Sequence, residues 1–191
     1  MNVYDFDKTI YPQDSTANFY KFCLSRYPRL RLGLFKTGWY FFLYFLRVYD
    51  KTQCKERFYS FLRSVPDIDA AVAEFWETRF DDLHDWYVND KRRSDDIIIS
   101  ASPEFLLRPV CDRLGVTLLA SRVDKHTGRY DGVNCHGDEK VRRLLEFMPD
   151  AKERIEEFYS DSISDSPLAR LAQDAYMVKG SDVIPWLIKG Y

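Results

Sequence analysis

The sequence predicts an α/β protein, a parallel sheet whose first strand is followed by a long helical insertion. Three observations predict it. A short apolar start, Val3-Tyr4, runs straight into the acidic pair Asp5 and Asp7. Residues 13–92 repeat apolar side chains at three- and four-residue steps, the period of amphipathic helices. From Asp96 onward, short apolar runs alternate with helical patterns, as in parallel strands joined by helices. The chain has 191 residues, 46% hydrophobic and 30% charged, which suits one packed core with a modest insertion.

Taken in order, Val3-Tyr4 reads as the first strand, ended by the charge at Asp5. Tyr11-Pro12 breaks the chain, and Asp14-Ser15-Thr16 supplies helix N-cap chemistry. Phe19, Phe22, Cys23 and Tyr27 then share one helix face. So do Phe58, Phe61 and Leu62, and so do Val72, Phe75, Trp76 and Phe80. Pro28 and Pro66 are joints between helices. The helical pattern ends near Arg93, and Asp96-Ile97-Ile98-Ile99-Ser100 reads as a strand covered on both faces. Pro103 starts a helix carrying Phe105, Leu106, Val110 and Cys111 on one face, and Gly115 ends it. Val116 to Ala120 is the next strand, and Ser121 to Asn134 reads as a hairpin turning at Thr127-Gly128. Asp138 to Phe147 is a helix, Ile155 to Tyr159 a strand, Pro167 to Ala172 a helix and Ala175 to Val178 the last strand.

Composition narrows the function. A formal net charge of −2 gives no whole-molecule case for nucleic acid as a partner. The four cysteines, Cys23, Cys54, Cys111 and Cys135, have no metal or redox spacing and read as buried free thiols. With no signal-peptide pattern, a reducing cytoplasm is the expected compartment. The aromatic run Gly38 to Leu46, between Lys36 and Arg47, is far shorter than the about 20 residues of a spanning helix. It reads as a buried helix, the alternative being peripheral membrane contact through an interfacial helix. His84, His126 and His136 lack metal or triad spacing and are expected at the surface. Ser100 has no paired histidine, which disfavours a serine hydrolase, and no Gly-rich nucleotide loop is present.

The predicted strands end in chemistry. The first ends at Asp5 and Asp7, the second at Ser100-Ala101-Ser102, and the strand from Ile155 at Ser160-Asp161-Ser162-Ile163-Ser164-Asp165. Lys140 lies on the helix before that third strand. Singly, each has an ordinary explanation: a solvated acidic loop, a helix cap, an exposed lysine, a solvated turn. Together they lie where open parallel sheets bind ligands, beyond the carboxyl ends of the strands. Carboxylates this close raise one another's pKa unless a cation intervenes, and hard oxygen donors select Mg²⁺. One carboxylate can attack phosphorus, a second can move protons, and lysine with a hydroxyl can hold phosphoryl oxygens.

The order DFDKT, IIISAS, a lysine in GDEK, then YSDSISD resembles the haloacid dehalogenase-like (HAD) hydrolase superfamily, in its phosphoserine phosphatase-like branch with a helical C1-type cap. The resemblance implies a Rossmann-like α/β core domain at 1–12 and 93–191 and a helical cap domain at 13–92. It implies a phosphatase with Asp5 as nucleophile and Asp7 as general acid/base. Thr9 would orient the loop, and Ser100 and Lys140 would bind phosphate. Asp5, the main-chain carbonyl of Asp7 and Asp161 would be Mg²⁺ ligands, with Asp165 an outer-shell acid. Asp7 also disfavours dehalogenation. The implied substrate is a small phosphorylated metabolite. Two alternatives stand beside it: a membrane-associated lipid-phosphate phosphatase of the phosphatidylglycerophosphate type, with Trp39 to Leu46 at a bilayer, and a non-catalytic binding or regulatory protein. Arg57 and Arg63 could hold a substrate carboxylate, and read more simply as solvated helix arginines.

Overall fold

A strand covered on both faces needs apolar side chains on both, and the first two strands, β1 (Val3–Tyr4) and β2 (Ile97–Pro103), have them. The structure, a computed structural model, describes residues 1–33, 45 and 51–187, the side chains of 51–53 excepted. The reading of Trp39 to Leu46 therefore lies outside the described residues, Phe45 apart. Between β1 and β2 the described chain is helical. α1 (Ser15–Arg26) is capped by Asp14, whose carboxylate accepts from the Ala17 amide at 2.8 Å. A 3-10 segment (Pro28–Gly33) follows, then α2 (Lys51–Tyr59), and α3 (Ile68–Arg79), capped in the same way by Asp67. A π-helical turn (Trp86–Lys91) leads back to the sheet. Pro28 and Pro66 fall at helix boundaries, as the sequence predicts.

The rest alternates. α4 (Glu104–Leu114) ends at Gly115, which takes the left-handed φ of 72° that glycine permits. β3 (Thr117–Ser121), α5 (Asp138–Phe147), α6 (Ala151–Arg154), β4 (Glu157–Ser160), α7 (Ser166–Ala169), β5 (Asp174–Lys179) and β6 (Asp182–Pro185) follow. The sheet order is β3-β2-β1-β4-β5-β6, parallel except for β6, which pairs antiparallel with β5. This is a mostly parallel, Rossmann-like sheet flanked by helices. Helix α5 matches its expected bounds, β3, β4 and β5 differ by a residue or two at their ends, and β2 runs three residues past Ser100. The expected hairpin is reduced to one bridge, Val123 with Tyr130.

Strand alternation sorts the core. Tyr4, Ile98 and Tyr159 pack with the helices between β1 and β2, whereas Val3, Ile97 and Phe158 pack with α5, α6 and α7. Tyr4 stacks on Tyr159, and Tyr159 on Tyr176, both at 4.9 Å between ring centroids. The loop after β3 docks on α2. The Tyr130 amide donates to Glu56 at 3.0 Å, and a Cβ at Gly128 would stand 2.6 Å from that of Tyr59. All four cysteines are buried thiols outside any disulfide. Among the described residues no helix is long and apolar enough to cross a membrane.

Candidate active site

Asp5 continues β1 by one residue, its amide donating to the Tyr159 carbonyl at 2.9 Å. The chain then turns sharply. The Phe6 carbonyl accepts from the amides of Thr9, Ile10 and Tyr11, and Lys8 takes a left-handed φ of 56°. That conformation is uncommon for a residue with a Cβ and marks a tightly determined loop. A continuous strand would send Asp5 and Asp7 to the same face and Phe6 to the other. The turn keeps that pairing beyond the strand's end, with both acids lining one pocket and Phe6 buried in the core.

Asp7 is held at both oxygens. Oδ1 accepts from the Ser15 amide at 2.7 Å, and Oδ2 from the Ser102 hydroxyl at 2.5 Å. Ser15 is the first residue of α1, so Asp7 faces a helix N-terminus, where negative charge is favoured. Lys140, in the first turn of α5, is 2% exposed. Its Nζ donates to Asp5 Oδ1 at 2.8 Å and to Asp165 Oδ2 at 2.7 Å. Asp165 Oδ2 also accepts from the Ser160 hydroxyl at 2.8 Å. Thr9 is buried, and its hydroxyl accepts from the Asp161 amide at 3.1 Å, which ties the loop after β1 to the end of β4. An exposed, solvated Lys140 is thereby ruled out.

Asp5, Asp7, Ser100, Lys140, Asp161 and Asp165 all line one pocket of about 250 Å³. Burial pushes the Asp5 carboxyl up to about 7; Lys140 opposes this, and Asp165 and Asp7 add to it. Burial, with Asp14 nearby, pushes Asp7 up to about 6, against hydrogen bonds from Ser102 and Ser15. Asp161 is also raised by burial. Burial works against the charge on Lys140, but Asp5 and Asp165 more than offset it and hold its pKa above the ordinary lysine value. The site thus places one locked cation among several carboxylates that resist ionising together.

The donors are hard oxygens. Among the described residues no three His, Cys, Asp or Glu side chains gather closely enough to hold a metal by themselves. A cation here would need main-chain oxygen and water as well, which suits Mg²⁺, an ion that keeps several waters. Asp165 Oδ1 is buried with no hydrogen-bond partner, an acceptor left over in an otherwise satisfied network. The residues therefore fit a hard divalent cation.

Sequence reasoning passed over two groups. In the sequence Ser102 reads only as part of a strand end, although the Ser-Ala-Ser spacing is a signal for two hydroxyls at one site. Its hydroxyl holds Asp7, and its amide donates to Ser100 Oγ at 3.1 Å. His136 is half-buried and lines the pocket, which corrects the expectation of a surface group. His84 is corrected too: it is half-buried and stacks on Trp86 at 6.2 Å. Only His126 is exposed. Arg57 and Arg63 are exposed and line no part of this pocket.

The fold and this site define a class, and comparison with known proteins agrees with it. A family model described as haloacid dehalogenase-like hydrolase matches residues 3–170. The chain belongs to the haloacid dehalogenase-like hydrolase family. A histidinol-phosphatase of Neisseria meningitidis is 30% identical over 93 residues, covering 43% of this chain and 42% of that protein. The chain thus matches less than half the length of that relative. A protein of unknown function from Bordetella pertussis has a similar structure, with a TM-score of 0.76 and 21% identity over 92% of this chain and 87% of that one. A probable phosphoserine phosphatase from Vibrio cholerae superposes with a TM-score of 0.62 and 15% identity, over 94% of this chain and 61% of that one.

Proposed function

We propose that the protein is a Mg²⁺-dependent phosphomonoester phosphatase working through an aspartyl-phosphate on Asp5, with a small phosphorylated compound as substrate. The observation that carries this reading is the buried Lys140, bonded to Asp5 at 2.8 Å in a pocket with Asp7, Asp161 and Asp165. A buried lysine among acids serves a reaction in which negative charge develops at one point. The histidinol-phosphatase relative and the phosphoserine phosphatase-like fold support the same chemistry.

In the proposed reaction an Asp5 carboxylate oxygen attacks phosphorus and the ester P–O bond breaks. Asp7 gives its proton to the departing oxygen, and the free alcohol leaves. Asp7, now ionised, takes a proton from water as that water attacks the phosphoryl group. The bond to Asp5 breaks, releasing inorganic phosphate and restoring both acids. Lys140 and Ser100 hold the phosphoryl oxygens while charge spreads over them. Asp5, Asp161 and the Asp7 carbonyl would hold Mg²⁺, with Asp165 outside them, and the ion would supply further positive charge to the phosphoryl oxygens. Helices within 13–92 would form a cap over the core of 1–12 and 93–191, excluding water during the first step.

The first test is hydrolysis of p-nitrophenyl phosphate. Turnover is expected with Mg²⁺, to vanish with a chelator and to return when Mg²⁺ is restored. Turnover indifferent to chelation would refute the Mg²⁺ assignment. Failure with every phosphoester tried would refute the phosphatase reading.

Ser102 should position Asp7. Ser102→Ala should lower kcat about tenfold or more, the worth of a hydrogen bond to a charged group, with little change in KM. The loss should be greater for alkyl phosphates, whose leaving oxygen needs the proton, than for p-nitrophenyl phosphate. Ser102→Thr should restore most of it. An equal loss on both substrates would mean only a structural role.

A further inference from the structure

A second cavity, about 530 Å³, opens beside the catalytic pocket and shares Asp7, Asp14 and Ala101 with it. Tyr20 and Leu24 of α1 and Cys54, Phe58 and Tyr59 of α2 form its largely apolar wall. Its size is that of an ordinary small-molecule site and twice the catalytic pocket's. The two spaces meet at Asp7, the residue proposed above to protonate the departing oxygen. A phosphate seated against Asp5 and Lys140, with its ester oxygen at Asp7, must send the rest of its leaving group past Asp7. The adjoining space there is the apolar cavity.

We propose that this cavity is the leaving-group subsite, and that the substrate is a phosphate monoester of an alcohol with a sizeable apolar body. The inference rests on the phosphatase reading and deepens it. The wall explains the preference. Tyr20 and Phe58 pack edge-to-face at 4.9 Å between ring centroids, a rigid surface for apolar contact. Among the described residues the charged groups facing the cavity beyond the shared Asp7 and Asp14 are Lys21 and Lys55. Lys55 Nζ donates to the Ala101 carbonyl at 3.4 Å and to Asn134 Oδ1 at 3.5 Å. Among the described residues no arginine lines the wall. A compact, zwitterionic leaving group such as serine would bury few of these apolar surfaces.

A series of n-alkyl phosphates from ethyl to octyl, assayed with Mg²⁺ below micelle-forming concentrations, tests this. The leaving alcohols are almost equally basic, so chain length changes burial and not bond reactivity. kcat/KM should rise with each carbon, by up to about fourfold per buried methylene, and level off once the cavity is filled. A flat or falling profile, with ethyl phosphate still turned over, overturns the subsite and leaves the phosphatase reading standing. No turnover of any member, nor of p-nitrophenyl phosphate, overturns both. Ala17 lines the cavity from α1 and is only half-buried, so Ala17→Leu should fill space without breaking the core. That variant should level off at shorter chains. A profile identical to the parent's would overturn the placement.

Discussion

Asp5→Asn is expected to lower phosphatase turnover about ten-thousandfold or more, the scale seen when a covalent nucleophile is removed. Asparagine keeps the shape of the side chain but cannot form a mixed anhydride with phosphate. The fold should survive. Lys140 retains Asp165 at 2.7 Å, and burial already disfavours a charge on Asp5. Thermal unfolding of the variant should therefore stay close to the parent's or rise slightly, while steady-state hydrolysis disappears. Wild-type turnover in this variant would remove Asp5 as the nucleophile. Loss of activity together with loss of folding would show that Asp5 supports the fold, a different conclusion.

Lys140→Met should damage both chemistry and stability. Lys140 is the shared cation between Asp5 and Asp165, and all three side chains are almost wholly buried. Removing one member of a buried ion pair leaves charge uncompensated and costs about 3–5 kcal/mol. Turnover should fall a further hundredfold or more at the level of kcat, about the loss that follows removal of one charge-stabilising donor. The stability loss should depend on pH, with a definite sign. The folded-state pKa of Asp5 is raised to about 7 from an ordinary 3.8, even with Lys140 holding it down. A raised acid pKa means that the folded state binds more protons, so the contribution of Asp5 becomes less favourable as pH rises through that interval. Without Lys140 the pKa climbs further. The part of the deficit that comes from Asp5 should thus be small near about pH 4, where that carboxyl is protonated, and should grow toward about pH 8. Urea unfolding of chelator-treated protein at several pH values measures it. A deficit independent of pH would mean that the charge on Asp5 contributes nothing to it.

How much of this was legible in the sequence depends on what kind of force fixes each part. Ile97-Ile98-Ile99 announces a strand covered on both faces, and β2 is one. The amphipathic pattern of Asp138 to Phe147 gives α5 with its observed bounds. β6 (Asp182–Pro185) is hard to read because it is four residues long, wholly exposed and closed by proline, so the β propensity of Val183 and Ile184 stands without a burial pattern beside it. The π-helical turn at Trp86–Lys91 and the short 3-10 segments share the spacing of α-helices closely enough to hide in it. The residues between Ser121 and Asn134 carry turn signals, but only Val123 and Tyr130 pair, since docking on α2 decides the rest of that loop.

The site follows the same division. Asp5, Asp7, Ser100, Lys140, Asp161 and Asp165 were readable as strand-end or adjacent polar residues, and one pocket gathers them. What sequence could not supply is how they meet. The turn around the Phe6 carbonyl and the left-handed Lys8 set the positions of both acids. The grip of Ser102 on Asp7 and the place of His136 in the pocket arise from that tertiary arrangement. The apolar cavity depends on Tyr20 and Leu24 of α1 and Cys54, Phe58 and Tyr59 of α2 lining one space, which no periodicity states.

The most direct test of the central claim is to look for phosphate on Asp5. Enzyme mixed with Mg²⁺ and a fast aryl phosphate is quenched in acid within one turnover, digested and mapped by mass spectrometry. The account predicts one phosphoryl group on the peptide bearing Asp5, removed by hydroxylamine as an acyl phosphate should be, and absent from Asp5→Asn. Rapid turnover with no label on that peptide at any quench time, or label on another residue, would contradict it.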